Sequence, residues 1–149
     1  MIRLHNDDLG RALHPILYQR LYDFQVVHSP EFPPNVVVST WLSQFYQDED
    51  NIHILVELND DYEITAHCMI VVLQAFNEYK VVSCYQIQSA NKTKTFLDEC
   101  VEYIDKLRDK VDATCSVFTT VKGAKAYESK YGYKTARTVM IKYNESYIN

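Results

Sequence analysis

The chain has 149 residues, 47% of them hydrophobic and 23% charged, the size and balance of one ordinary globular domain. This excludes a disordered or fibrous chain, and 149 residues suffice to bury roughly 70% of the unfolded surface. The formal net charge of −5 argues against a nucleic-acid partner, which needs a surplus of lysine and arginine on one face.

Leu9, Leu13, Ile16, Leu17, Leu21 and Phe24 recur at helical spacing, with Asp7 or Asp8 as the cap. Pro15 either starts the helix near His14 or kinks it there, because proline lacks the donor and clashes with the preceding turn. Pro30, Pro33 and Pro34 make an irregular connection to a second helix over Val37, Val38, Trp41, Leu42 and Phe45. Ile52, Ile54, Val56 and Leu58 then alternate as in a half-buried strand. A turn at 59–61, a long strand over 64–76, a turn at 77–78 and a third strand over 80–87 complete an antiparallel meander.

The clearest helix follows, over 94–111. Phe96, Leu97, Cys100, Val101, Ile104, Leu107 and Val111 form one apolar stripe, with Asp98, Glu99, Glu102, Asp105 and Asp109 turned away. Of these, Leu97, Val101, Ile104 and Leu107 are expected to be the buried face. A strand over 114–120, a short helix over 124–131 closed by Gly132, and a last strand over 135–143 end the chain. The third strand, the long helix and the strand at 114–120 form a βαβ crossover, which makes Val81–Ile87 and Thr114–Thr120 a parallel pair in an otherwise antiparallel sheet. The expected fold class is mixed α+β, a single domain spanning 1–149, with no internal repeat.

Cys68, Cys84, Cys100 and Cys115 lie in apolar runs without a CxxC pair or a Cys–His cluster. They read as free buried thiols in a reducing compartment, with no zinc site and no disulfide framework. Residues 1–8 lack a signal-peptide core, and the apolar run 68–73 is too short for a membrane span; the expectation is a soluble, cytoplasmic protein. Eleven basic residues from Lys92 to Lys142 follow residue 90, while Asp48, Glu49, Asp50, Asp60, Asp61 and Glu63 make the earlier part acidic. An anion site therefore belongs in the C-terminal half, the alternative being solvated helix and strand faces.

The element order resembles the GNAT (Gcn5-related N-acetyltransferase) superfamily from end to end. Glu63-Ile64-Thr65-Ala66-His67-Cys68 is similar to the family's strand after the first hairpin. Ala126-Tyr127-Glu128-Ser129-Lys130-Tyr131-Gly132-Tyr133-Lys134 is similar to its late helix and Gly-aromatic exit. The resemblance implies acyl transfer from acetyl-CoA to an amine. The coenzyme would lie between the third strand and its parallel neighbour, along Tyr85 and Ile87. Its pyrophosphate would meet Gln88, Asn91, Lys92, Thr93 and Lys94 at the start of the long helix, where free N–H groups and the helix dipole favour anions.

Two features depart from the family pattern. Gln88 fits the phosphate motif, but Asn91 and Thr93 replace its small residues. Asn91 tolerates left-handed angles, whereas the β-branched Thr93 crowds the approach; Lys92 and Lys94 add attraction. The other reading is that Asn91 only caps the helix and Lys92 is solvated. Four residues before the late glycine, where the family often places a tyrosine acid, stands Glu128. Tyr127 is one place earlier and about 100° around the helix, so it is expected to pack against the sheet. Glu57 is the candidate base, and His67 a second titratable group on the neighbouring strand; the alternatives are a surface carboxylate for Glu57 and a structural histidine for His67. An alternative function is a catalytically degenerate GNAT-fold protein that acts by association with a protein partner or a second copy. Small proteins of this type resemble bacteriophage structural or accessory proteins, and 12 tyrosines suit such a surface.

Overall fold

The computed structural model describes residues 1–75, 79–89, 95–119, 124–136 and 142. Asn91, Lys92, Thr93 and Lys94 lie outside these residues, as does most of the strand expected over 135–143; Thr135, Ala136 and Lys142 are described and belong to no strand. Strand β1 is Ile2–Leu4, helix α1 Asp8–Ala12, α2 His14–His28 and α3 Pro34–Gln47. The meander is β2 Ile52–Leu58, β3 Ile64–Ala75 and β4 Tyr79–Ser89. Helix α4 is Thr95–Lys110, β5 Cys115–Phe118 and α5 Ala124–Tyr131.

Pro15 resolves the first helix into two. Asp7 caps α1 by accepting from the Gly10 N–H, and α2 begins directly after Leu13 with Pro15 in its first turn, where the missing N–H costs nothing. Leu13, Leu17, Leu21 and Gln25 form the buried stripe of this segment. Leu9 and Ile16, expected in it, are 37% and 49% exposed.

The five described strands form one sheet in the order β1-β2-β3-β4-β5, antiparallel except for β4 and β5, which run parallel. The crossover through α4 therefore has the expected direction. Among the described strands the parallel pair lies at one side of the sheet; the strand expected over 135–143 lies outside the described residues, apart from Thr135, Ala136 and Lys142.

Helices cover both faces. Leu17, Leu21, Val38, Leu42 and Phe45 of α2 and α3 pack on Ile54, Val56, Met69 and Val71. Phe96, Cys100, Ile104 and Leu107 of α4 pack on Leu55, Ala66, Cys68, Ile70, Val82 and Cys84. Strand β2 is consequently buried on both faces from Ile52 through Val56, not half-buried as its alternation suggested. His53 sits on the α4 side, with its Nδ1 2.6 Å from the Tyr103 hydroxyl. On α4 the buried face is Phe96, Cys100, Val101, Ile104 and Leu107, and Leu97 is only half-buried. Cys68, Cys84 and Cys100 are buried free thiols; Cys115 is exposed, on the face of β5 opposite to Phe118, which packs toward α4.

Candidate functional site

Strands β4 and β5 are paired from Val81↔Cys115 to Cys84↔Phe118, and the last bond between them runs from the Thr119 N–H to the Cys84 carbonyl at 3.3 Å. Beyond it β4 continues for five residues, Tyr85 to Ser89, with a strand partner only on its β3 side among the described residues. One edge of the strand thus opens where the chain heads into α4.

The opening coincides with a bulge. Met69 pairs with Gln86 and Ile70 with Cys84, which leaves Tyr85 as an extra residue on β4. A bulge bends its strand and takes a residue out of the ladder. Here it places Tyr85 and Gln86 on the same face: the Tyr85 ring stacks 5.5 Å from Trp41 of α3, and Gln86 is buried under α2, donating to the Leu21 carbonyl. Ile87 turns to the α4 face, and Gln88 returns to the α2 face. Burial pushes the Tyr85 hydroxyl pKa up. The candidate residues Tyr85, Ile87 and Gln88 therefore divide between the two faces of the opened strand.

Tyr127 is buried on the sheet, as expected from the rotation of α5. Its ring lies 4.9 Å from Phe118, the last β5 residue paired to β4. It faces inward at the point where the strands part, which the one-residue shift in sequence does not reveal. Burial, followed by the neighbouring Cys84 and Cys68 thiols, raises its pKa, so the phenol keeps its proton throughout the neutral range. Tyr131 and Tyr133 pack on the same ring, and the Tyr131 hydroxyl donates to Asp98 of α4, tying α5 to the crossover helix. Glu128 is exposed and accepts from the Thr135 hydroxyl at 2.6 Å. The structure does not bring it to the opening.

Glu57 is half-buried opposite Ala66, and that pairing puts it on the α4 face. An open cleft of about 590 Å³ lies on the other face, lined by Pro15, Ile16, Gln19, Arg20, Asp23, Ile64 and Gln88. Its carboxylate is Asp23, so the sheet separates Glu57 from this cleft.

His67 is fully buried beneath the cleft. Arg20 Nε donates to its Nδ1 at 2.8 Å, so the imidazole proton belongs on Nε2 and is donated to Gln86 Oε1 at 2.9 Å. Burial lowers the His67 pKa to about 4; its part is to hold Arg20 and Gln86 rather than to exchange protons near neutrality. Arg20 completes the arrangement by donating to the Ile64 carbonyl at 2.9 Å and the Thr65 carbonyl at 3.1 Å. Those carbonyls flank a second bulge, where β3 places Thr65 as an extra residue between Glu57↔Ala66 and Leu58↔Ile64. Sequence reading passed over Arg20 and Asp23. Their one signal was the i, i+3 spacing of two opposite charges beside the Leu17–Leu21 stripe.

Among the described residues no His, Cys, Asp and Glu cluster could hold a metal ion, and no helix is long and apolar enough to cross a membrane. No family model and no curated protein sequence matches the chain. Solved structures do. A "predicted acetyltransferase" from Clostridium acetobutylicum, solved with acetyl-CoA, is 11% identical over 95% of this chain and 94% of its own, with a TM-score of 0.69. Glucosamine-6-phosphate N-acetyltransferase from Arabidopsis thaliana is 14% identical over 86% and 92%, at 0.61. Ribosomal-protein-alanine N-acetyltransferase from Brucella melitensis biovar Abortus 2308 is 11% identical over 95% and 98%, at 0.60. At such identities the likeness speaks for the backbone and not for the chemistry. The chain has the mixed α+β fold of the GNAT-like acetyltransferases, with one parallel strand pair in a mostly antiparallel sheet and helices on both faces.

Proposed function

We propose that the protein is an N-acyltransferase that uses acetyl-CoA and an amine. The observation that carries this reading is the parting of β4 and β5 after Cys84↔Phe118, with the Tyr85 bulge at the same point. An opened strand edge offers backbone N–H and C=O groups to a ligand with amides of its own, in the manner of an added strand. The residues present fit an extended amide-bearing chain: the edge spans Tyr85 to Gln88 and leads toward the start of α4, with Asn91, Lys92, Thr93 and Lys94 between them. When bound, acetyl-CoA supplies a thioester carbonyl open to attack by an amine.

The chain's own residues then have distinct tasks. Backbone amides around the Tyr85 bulge would donate to an oxygen that gains negative charge, the role of preorganised donors in acyl transfer. Tyr127, beside Phe118 at the point where the strands part, is the acid that would give a proton to a departing thiolate. The α2-side cleft ending at Gln88 lies two residues, roughly 7 Å, along β4 from Gln86, and receives the amine; Asp23 is its carboxylate.

Calorimetric titration with acetyl-CoA tests the reading before any acceptor is known, and release of free thiol in the presence of small amines tests it afterwards. Saturable binding is expected. Tyr127→Phe should leave acetyl-CoA binding within about twofold and lower the thiol-release rate by roughly 10²-fold or more. A protein that fails to bind acetyl-CoA at millimolar concentration is not a transferase of this kind, and action by protein association would take its place.

A further inference from the structure

The chain's cations are scarce where the cleft lies. Arg3, Arg11 and Arg20 are the only lysines or arginines before Lys80, among many carboxylates. Arg11 has Asp8 within 3.8 Å, and Arg3 donates to the Glu49 carbonyl. Arg20 has no carboxylate partner among the described residues, although Asp23 follows it by less than one helical turn. Asp23 instead accepts from Gln19 Nε2 at 2.8 Å.

The guanidinium of Arg20 is nevertheless fixed. A guanidinium has five N–H donors. Nε serves His67 Nδ1, one N–H of Nη1 serves the Ile64 carbonyl and one of Nη2 serves the Thr65 carbonyl. All three acceptors are neutral, so the positive charge is oriented without being neutralised. One N–H on each terminal nitrogen remains, and the group lines the cleft. Half-burial strengthens what those donors offer, since a partly desolvated cation gains more from a counter-ion than an exposed one. His67 in turn is fixed by Gln86, and Gln86 by the Leu21 carbonyl and Gln25, so rigid elements on both sides support the fork.

We infer that Arg20 is a specificity residue that receives a carboxylate of the amine acceptor, so that the acceptor is an amino acid or peptide-like molecule carrying both groups. This rests on the transferase reading for its amine, while the carboxylate site stands on the cleft alone. The planar fork suits a carboxylate in two-point contact. Asp23 on the same side of α2 supplies the opposite charge for an ammonium, and Ile16 an apolar wall.

The test uses the full chain without coenzyme and two probes of equal shape, N-acetylglycine and its neutral counterpart N-acetylglycinamide, with inorganic phosphate as a third titrant, followed by calorimetry and by NMR of the Gln88 and Gln19 side-chain amides. The carboxylate is expected to bind roughly tenfold or more tightly than the amide, to shift both glutamine resonances, and to lose its advantage in Arg20→Met, with Arg20→Lys intermediate. Equal binding of the two probes, absence of saturable binding up to tens of millimolar, tighter binding of inorganic phosphate, or an unchanged preference in folded Arg20→Met each overturns the assignment. If Arg20→Met does not fold, the natural protein's probe preference and its Gln88 and Gln19 shifts decide alone. Should the carboxylate bind through Arg20 while acetyl-CoA does not bind, the anion site stands and the transferase reading falls; acetyl-CoA binding without a carboxylate preference gives the reverse.

Discussion

Because Arg20 donates to Nδ1 of His67 and Gln86 accepts from Nε2, a second proton has no place on this ring. The unfolded chain takes that proton near the ordinary pKa of 6.5, and the folded chain only near 4. Stability is therefore complete above about pH 6.5 and declines as pH falls from there toward 4, with a full effect of about 3 kcal/mol for this one group. His53, also lowered to about 4 by burial, adds a term of the same sign. Urea unfolding between pH 7 and 5, a range above most carboxylate titration, should show falling midpoints, and His67→Gln should show a shallower fall whatever its absolute stability. Glycines give a second residue-scale contrast. A Cβ on Gly10 would lie 2.0 Å from the His5 carbonyl oxygen, whereas Gly132 has open space but a φ of +74°. Gly132→Ala should cost about 1 kcal/mol from the left-handed backbone alone, and Gly10→Ala about 3 kcal/mol, the upper end of overpacking; thermal melts of both variants check the order. Gly132 was legible in the sequence as a helix end. Gly10 was not, because its constraint comes from a carbonyl that only the fold brings near.

At the scale of elements, periodicity served where one helix meets one surface and failed where a strand is covered twice. Phe96, Cys100, Val101, Ile104 and Leu107 were readable because charged residues mark the far side of α4. Ile104 is fully buried against the sheet, while Leu97 is only half-buried at the edge of the stripe. Ile104→Ala should cost on the order of 2–5 kcal/mol and Leu97→Ala clearly less, measured by denaturant midpoints; equal losses would mean that the stripe is rotated toward Leu97. In β2 the same logic misleads, because His53 and Leu55 are buried by α4 just as Ile52, Ile54 and Val56 are by α2 and α3. A histidine between isoleucines reads as solvent-facing until its partner Tyr103, fifty residues later, is in place. The three residues of β1 carry no period long enough to read, and their strand character comes from pairing with Ile54–Val56. Both bulges escaped for the same reason: Tyr85 and Thr65 become extra residues only through the register of their partner strands.

For the whole molecule, element order carried the fold: a βαβ crossover after an antiparallel meander admits few topologies, and β4 and β5 pair as that order requires. The candidate site was less legible, since Arg20 and Gln88 are 68 residues apart in sequence and share one cleft only through the fold. Under the proposed function, the stretch between β4 and α4 meets a pyrophosphate. Gln88 is the residue type of the GNAT phosphate motif but lines the α2-side cleft, so under the proposed function phosphate binding would fall to the backbone and lysines of 91–94. By the resemblance to the GNAT phosphate motif, the β-branched Thr93 would add bulk where a phosphate approaches backbone N–H groups, and attraction by Lys92 and Lys94 would be screened by salt. Acetyl-CoA binding is therefore expected to be weak and to weaken further with added salt. Asn91→Gly with Thr93→Gly should tighten it, because glycine removes the bulk and admits left-handed angles, at a cost of roughly 0.5–1 kcal/mol each in the helix start. Calorimetry on both folded proteins at two salt concentrations measures this directly. Tighter binding by the double variant, with the same salt dependence, means that these two side chains limit the site. Unchanged or weaker binding means that the phosphates rest elsewhere along the opened strand.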